Sequence, residues 1–72
     1  MKTNMNKIIA EYLVGRKLVS LEYRDIPNEA QKEITFAYIT TDEDRDPVIN
    51  IELINGYQFE VQSNETIETE EI

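Results

Sequence analysis

Met5, Ile8, Ile9, Tyr12 and Leu13 recur at helical spacing with polar residues between them, the pattern of one face of an amphipathic helix. Thr3 or Asn4 is placed to cap that helix, and Gly15 to end it in a left-handed conformation. The spacing predicts a helix over 4–14, too short to stand alone in water and therefore in need of a sheet to cover.

Beyond Gly15 the period changes to two. Lys17–Arg24 alternates Val19, Leu21 and Tyr23 against Ser20 and Glu22, which predicts a half-buried strand. Pro27 and Asn28 supply turn chemistry. Glu33–Thr40 is rich in β-branched and aromatic residues, with Ile34, Phe36 and Tyr38 on one face. Its other face is only partly polar, which suits a central strand. Pro47–Ile54 alternates Ile49, Ile51 and Leu53 against Asn50 and Glu52, and Tyr57–Gln62 alternates Tyr57, Phe59 and Val61 against polar residues.

The Asn55-Gly56 turn has a testable register. A two-residue turn would set Phe59 opposite Glu52 and mix the faces, which burial forbids. A three-residue loop, Ile54-Asn55-Gly56 with Gly56 left-handed in a bulge, instead pairs Leu53 with Tyr57, Ile51 with Phe59 and Ile49 with Val61. The bulged turn is the expectation. The whole pattern predicts an α+β fold: one N-terminal helix packed on a four-stranded antiparallel meander. Residues 1–62 would form the single domain. Residues 63–72, SNETIETEEI, have four acids and no aromatic residue, and are expected to be a mobile acidic tail.

Composition narrows the chemistry. Seventy-two residues make one small domain, near the lower limit for a purely hydrophobic core. No cysteine is present, so disulfides and thiolate metal sites are ruled out, which fits a reducing cytoplasm. No apolar run approaches the roughly 20 residues of a membrane span, and the N-terminus lacks the apolar core of a signal peptide.

Charge changes the picture most. The formal net charge is −8, which disfavours direct binding to nucleic acid or to an anionic membrane and points to a basic partner. It is also uneven: six bases and five acids precede Thr41, and one base and ten acids follow Thr40, a net +1 against −9. Asp42, Glu43, Asp44 and Asp46 crowd one connection between strands, Glu52 and Glu60 lie on polar strand faces, and Glu65, Glu68, Glu70 and Glu71 lie in the C-terminal segment. A meander returns that segment to the end of the sheet that holds Asp42–Asp46, which predicts one acidic zone.

No catalytic set is legible. Histidine and cysteine are both absent, removing the commonest general base and the commonest low-pKa nucleophile. No cofactor motif is present. Asp42, Asp44 and Asp46 match the first three oxygen positions of a calcium loop, but Pro47 and Leu53 stand where that loop requires Gly and a bidentate Glu. No metal site is therefore assigned. Taken alone, an acidic hairpin loop is a solvated turn, because Asp hydrogen-bonds nearby backbone. Yet carboxylates two apart on a strand lie roughly 6.6–6.8 Å apart. That spacing is commensurate with the 3.4 Å axial rise per phosphate of a nucleic-acid strand.

In length, acidity, lack of cysteine and element pattern the chain resembles the small DNA-mimic proteins with which bacteriophages block host nucleic-acid-binding proteins. Within that class it is most similar to the Bacillus-phage inhibitors of the nucleoid protein HU. The class shares no sequence motif, so the resemblance transfers no residue roles. It implies a non-enzymatic inhibitor acting in the bacterial cytoplasm or nucleoid. Asp42, Glu43, Asp44, Asp46, Glu52, Glu60, Glu65, Glu68, Glu70 and Glu71 would stand in for phosphates, and HU is the first expected partner. The competing expectation is an interaction module that works by strand addition, with Tyr57–Gln62 as the exposed edge, or by a hydrophobic dimer face. A homodimer is compatible with either.

Overall fold

The computed structural model describes residues 2–4 and 10–72. They form six strands: β1 (Lys2–Asn4), β2 (Lys17–Leu21), β3 (Ile34–Thr41), β4 (Pro47–Leu53), β5 (Gln58–Gln62) and β6 (Thr66–Glu70), with short 3₁₀ turns at Ala10–Leu13 and Asn28–Ala30. The strands make two antiparallel sheets, β1–β6–β2 and β3–β4–β5. The expected α+β arrangement of a helix on one four-stranded sheet is therefore incorrect. Among the described residues no helix is longer than the four-residue turn at Ala10–Leu13, and none is long and apolar enough to cross a membrane.

The helical reading of 4–14 fails at its start. Thr3 and Asn4, assigned as caps, are instead paired with Ile67 and Thr66 of β6. Tertiary pairing outweighs a periodicity that could support only a marginal helix. Met5, Ile8 and Ile9 lie outside the described residues. Gly15 is left-handed as expected, at φ +89°, but what it ends is the 3₁₀ turn, whose Leu13 is fully buried and whose Tyr12 is exposed.

The C-terminal segment is not a mobile tail. Residues Thr66–Glu70 form β6, the central strand of its sheet, with Ile67 and Thr69 buried. Alternation places Ile67 and Thr69 inward and Thr66, Glu68 and Glu70 outward, as for any half-buried strand.

The three-stranded meander β3–β4–β5 matches the expected register in detail. Glu52 pairs with Gln58, Ile51 with Phe59 and Ile49 with Val61. The Leu53 N–H donates to Tyr57 at 2.9 Å, the Gly56 N–H donates to the Leu53 carbonyl at 2.9 Å, and Gly56 has φ +94°. This is the bulged three-residue loop. Two irregularities elsewhere redirect side chains. In β3 the register shifts between Ile34 and Phe36, so Ile34 faces inward with Ala37 and Ile39, while Phe36 and Tyr38 face outward. Strict alternation had put Ile34, Phe36 and Tyr38 together. Leu21 of β2 is buried as expected, but a shift between Leu18 and Ser20 puts Leu18 inward with it in place of Val19 and Tyr23. β3 is an edge strand, not a central one.

The two sheets share one core. Leu18, Leu21 and Ile67 from one join Ile34, Ile49, Ile51, Leu53 and Val61 from the other, with Leu13 and Ala30 from the connections. Backbone bonds also stitch the sheets where β2 passes β3: Ile34 N–H to the Arg16 carbonyl at 2.7 Å and Leu18 N–H to the Lys32 carbonyl at 3.1 Å. Because the inner faces meet in one core, the outer faces point away from each other.

A candidate acidic interface

The outer face of β3–β4–β5 is set by its pairing. Phe36 lies across from Glu52, Tyr38 from Asn50 and Thr40 from Val48, while Glu52, Asn50 and Val48 meet Gln58, Glu60 and Gln62 on the other side. No lysine or arginine falls among these nine positions. Phe36 and Tyr38 remain 53% and 46% exposed, with ring centroids 5.3 Å apart and planes tilted by 49°. Beside them runs a shallow groove of about 240 Å³, lined by Tyr38, Asn50, Glu52, Gln58 and Glu60. Glu52 and Glu60 are diagonal neighbours across the β4–β5 pair, which sets their strand positions roughly 7–8 Å apart.

The acidic connection closes one end of this sheet. Asp42 N–H donates to the Asp46 carbonyl and Arg45 N–H to the Asp42 carbonyl, each at 3.0 Å. Asp42 Oδ1 accepts from the N–H groups of both Asp44 and Asp46 at 2.9 Å. The role anticipated for an aspartate in a turn thus falls to Asp42. Glu43, Asp44 and Asp46 stay exposed. The carboxylates of Asp42, Asp44 and Asp46 lie within 4.8 Å of one another, but one Asp42 oxygen is already engaged by two N–H groups.

The ten acids do not form one zone. Asp42, Glu43, Asp44, Asp46, Glu52 and Glu60 belong to the β3–β4–β5 sheet and its hairpin. Glu68 and Glu70 stand on the outer face of the other sheet, where Glu70 pairs in register with Lys17 and Glu68 with Ser20 and Lys2. Ser20 Oγ donates to Glu68 Oε1 at 3.1 Å. Glu71 follows β6 and is exposed. That second face mixes signs.

Glu65 is fully buried and cannot reach a partner. Its Oε1 accepts from Arg24 at 3.1 Å and from the Gln62 N–H at 3.2 Å, and its Oε2 accepts from the Tyr23 N–H at 3.4 Å. The acid therefore ties the turn before β6 to the connection after β2. Sequence reasoning missed this pair and also the exposed Phe36–Tyr38 pair. The alternation of Ile67 and Thr69 with Glu68 and Glu70 was the available signal for β6, and a strand there would have placed Glu65 at its entry. No known protein family, curated protein or solved structure matches the chain.

Proposed function

We propose that this protein is a non-enzymatic inhibitor that presents the outer face of β3–β4–β5 to the basic surface of a DNA-binding protein, occupying it as DNA would. The observation that supports this reading most is that face itself: exposed Phe36 and Tyr38 beside Glu52 and Glu60, with no base among the nine positions. The acids of the β3–β4 hairpin extend it at one end. Interfaces draw their affinity from desolvated aromatic anchors inside a polar rim, and here both charged residues among the nine positions are acids. Lys and Arg of the partner would accept these carboxylates as charge-assisted partners.

The reading places the protein in a bacterial cytoplasm, and the resemblance to phage DNA mimics makes HU the first partner to test. A tagged protein is used to capture partners from nuclease-treated bacterial lysate, with elution by rising salt. Capture of HU or another DNA-binding protein, released between about 0.05 and 0.2 M salt and displaced by duplex DNA, is the expected result. Capture only of partners that resist salt and ignore DNA would overturn it. Strand addition at β5, the competing expectation, is disfavoured because that edge is already bonded by Arg24 and Glu65.

A further inference from the structure

The outer face of β3–β4–β5 is built in rows across the three strands. Tyr38, Asn50 and Glu60 make one row, and Phe36, Glu52 and Gln58 the next. The groove of about 240 Å³ has Tyr38 of β3 on one side, Glu60 of β5 on the other, and Asn50 and Glu52 of β4 between them. Phe36 backs the Tyr38 ring with centroids 5.3 Å apart, and Tyr38 keeps 46% of its surface exposed.

This groove is rich in acceptors. Asn50 gives its Nδ2 to Thr40 Oγ1 at 2.9 Å, so its carbonyl oxygen is the atom it can offer a ligand. Glu52 and Glu60 present carboxylates, which accept only, and the face of a tyrosine ring is also negative. The ligand that suits such a lining is cationic, flat and rich in donors. Arginine's guanidinium holds five N–H donors in a planar fork, stacks on aromatic rings and is more weakly hydrated than an ammonium. Spacing separates it from lysine. Glu52 and Glu60 rise from strand positions roughly 7–8 Å apart. One ammonium nitrogen bonded to both must draw their carboxylates to within about 5.8 Å of each other. The fork, with donors at both its ends, reaches both without that closure.

We propose, building on the inhibitor reading, that this groove receives an arginine side chain of the DNA-binding partner, its guanidinium against the Tyr38 ring and bonded to Glu52 and Glu60. Surfaces made for DNA carry arginine because its fork matches phosphate oxygens two at a time. Glu52 and Glu60 supply such oxygens, and Tyr38 adds a ring that a phosphate backbone lacks. The same arginine therefore gains a contact here that the backbone does not give it. The hairpin acids Asp42, Glu43, Asp44 and Asp46 have no aromatic residue among them, so they attract lysine and arginine alike. The groove is the selective part of the face, and the hairpin the unselective part.

Titration of the full chain with tetra-arginine amide and with tetralysine amide, at one low salt concentration and followed by NMR, is the test. The arginine peptide should bind at least about threefold tighter than the lysine peptide of equal charge. Its amide shifts should centre on Asn50, Glu52 and Glu60. Tyr38→Leu should bring the two affinities together, while Tyr38→Phe should keep them apart, a rescue that general loss of structure would not allow. Glu52→Gln with Glu60→Gln should also remove the preference and leave the shifts at Asp42–Asp46. Three results would overturn the proposal: equal affinities for the native chain, a preference that survives Tyr38→Leu, or shifts confined to the hairpin. Lysate capture tests the inhibitor reading separately. Capture of a DNA-binding protein by a chain that does not prefer arginine would keep that reading and sink the groove. A preference for arginine without such a capture would do the opposite.

Discussion

Arg45 and Gly56 occupy the same position in two copies of one turn. In each hairpin the first residue donates its N–H four residues ahead and accepts from the residue three ahead, and that third residue is left-handed. Gly56 takes φ +94° without a side chain to oppose it, whereas Arg45 takes φ 65° with one. A left-handed conformation costs a non-glycine residue about 1–2 kcal/mol, partly offset by the greater freedom glycine loses on folding. Arg45→Gly should therefore stabilise the fold by about 0.5–1 kcal/mol, raising Tm by a few degrees in a thermal melt. Glu65 makes the opposite case. As a tail acid it would tolerate truncation within about 0.5 kcal/mol. Buried, with Arg24 and two backbone N–H groups depending on it, it should cost about 2–4 kcal/mol as Glu65→Ala in denaturant unfolding. Arg24→Ala should cost less in a Glu65→Gln background than in the native one, since the buried charge is then already gone.

At the level of elements, what could be read from the sequence was whatever is decided by neighbours in the chain. The Leu53–Tyr57 hairpin was legible because face matching and one left-handed glycine leave a single register. β4 and β5 alternate cleanly and fold as they alternate. β2 and β3 were found, but each carries a bulge, and a one-residue shift changes which side chains share a face. For that reason Leu18 was missed as core and Phe36 and Tyr38 as surface. β1 and β6 were not found. Each is stabilised by residues more than 40 positions away in the chain, and the local signals there, helical spacing in one and a run of acids in the other, pointed elsewhere. The candidate site divides the same way. The acids of the β3–β4 hairpin, Glu52 and Glu60 were legible as outward-facing, while the fate of Glu65, Glu68 and Glu70 depended on where β6 pairs. The consequence is testable with two isoleucines. Ile67→Ala should lower stability by about 3 kcal/mol through the cavity it leaves, while Ile72→Ala, at a residue 75% exposed, should stay within about 0.5 kcal/mol.

Across the whole molecule the surface acids that follow Thr40 divide between the β3–β4–β5 sheet and the side of β6, and that separation allows placement of charge to be tested apart from its amount. Glu52→Lys with Glu60→Lys changes the outer face of β3–β4–β5. Glu70→Lys with Glu71→Lys changes the other side by the same amount. Each double substitution takes the net charge from −8 to −4, since every Glu→Lys adds two positive charges. Long-range attraction to a basic partner should weaken about equally in both, as a lower association rate that converges at high salt. Contact should not. If the partner's cations sit on Glu52 and Glu60, reversing these two should cost at least about 2.8 kcal/mol, a hundredfold in Kd. The slope of log Kd against log salt should also become shallower as charge-assisted contacts disappear. The Glu70/Glu71 variant should lose only the few-fold owed to steering and keep the native slope. Titration against HU over a salt series, by calorimetry or fluorescence anisotropy, measures both quantities. Equal losses in the two variants would show that the partner responds to total charge, and the face with Phe36 and Tyr38 would then have no special claim as the binding surface.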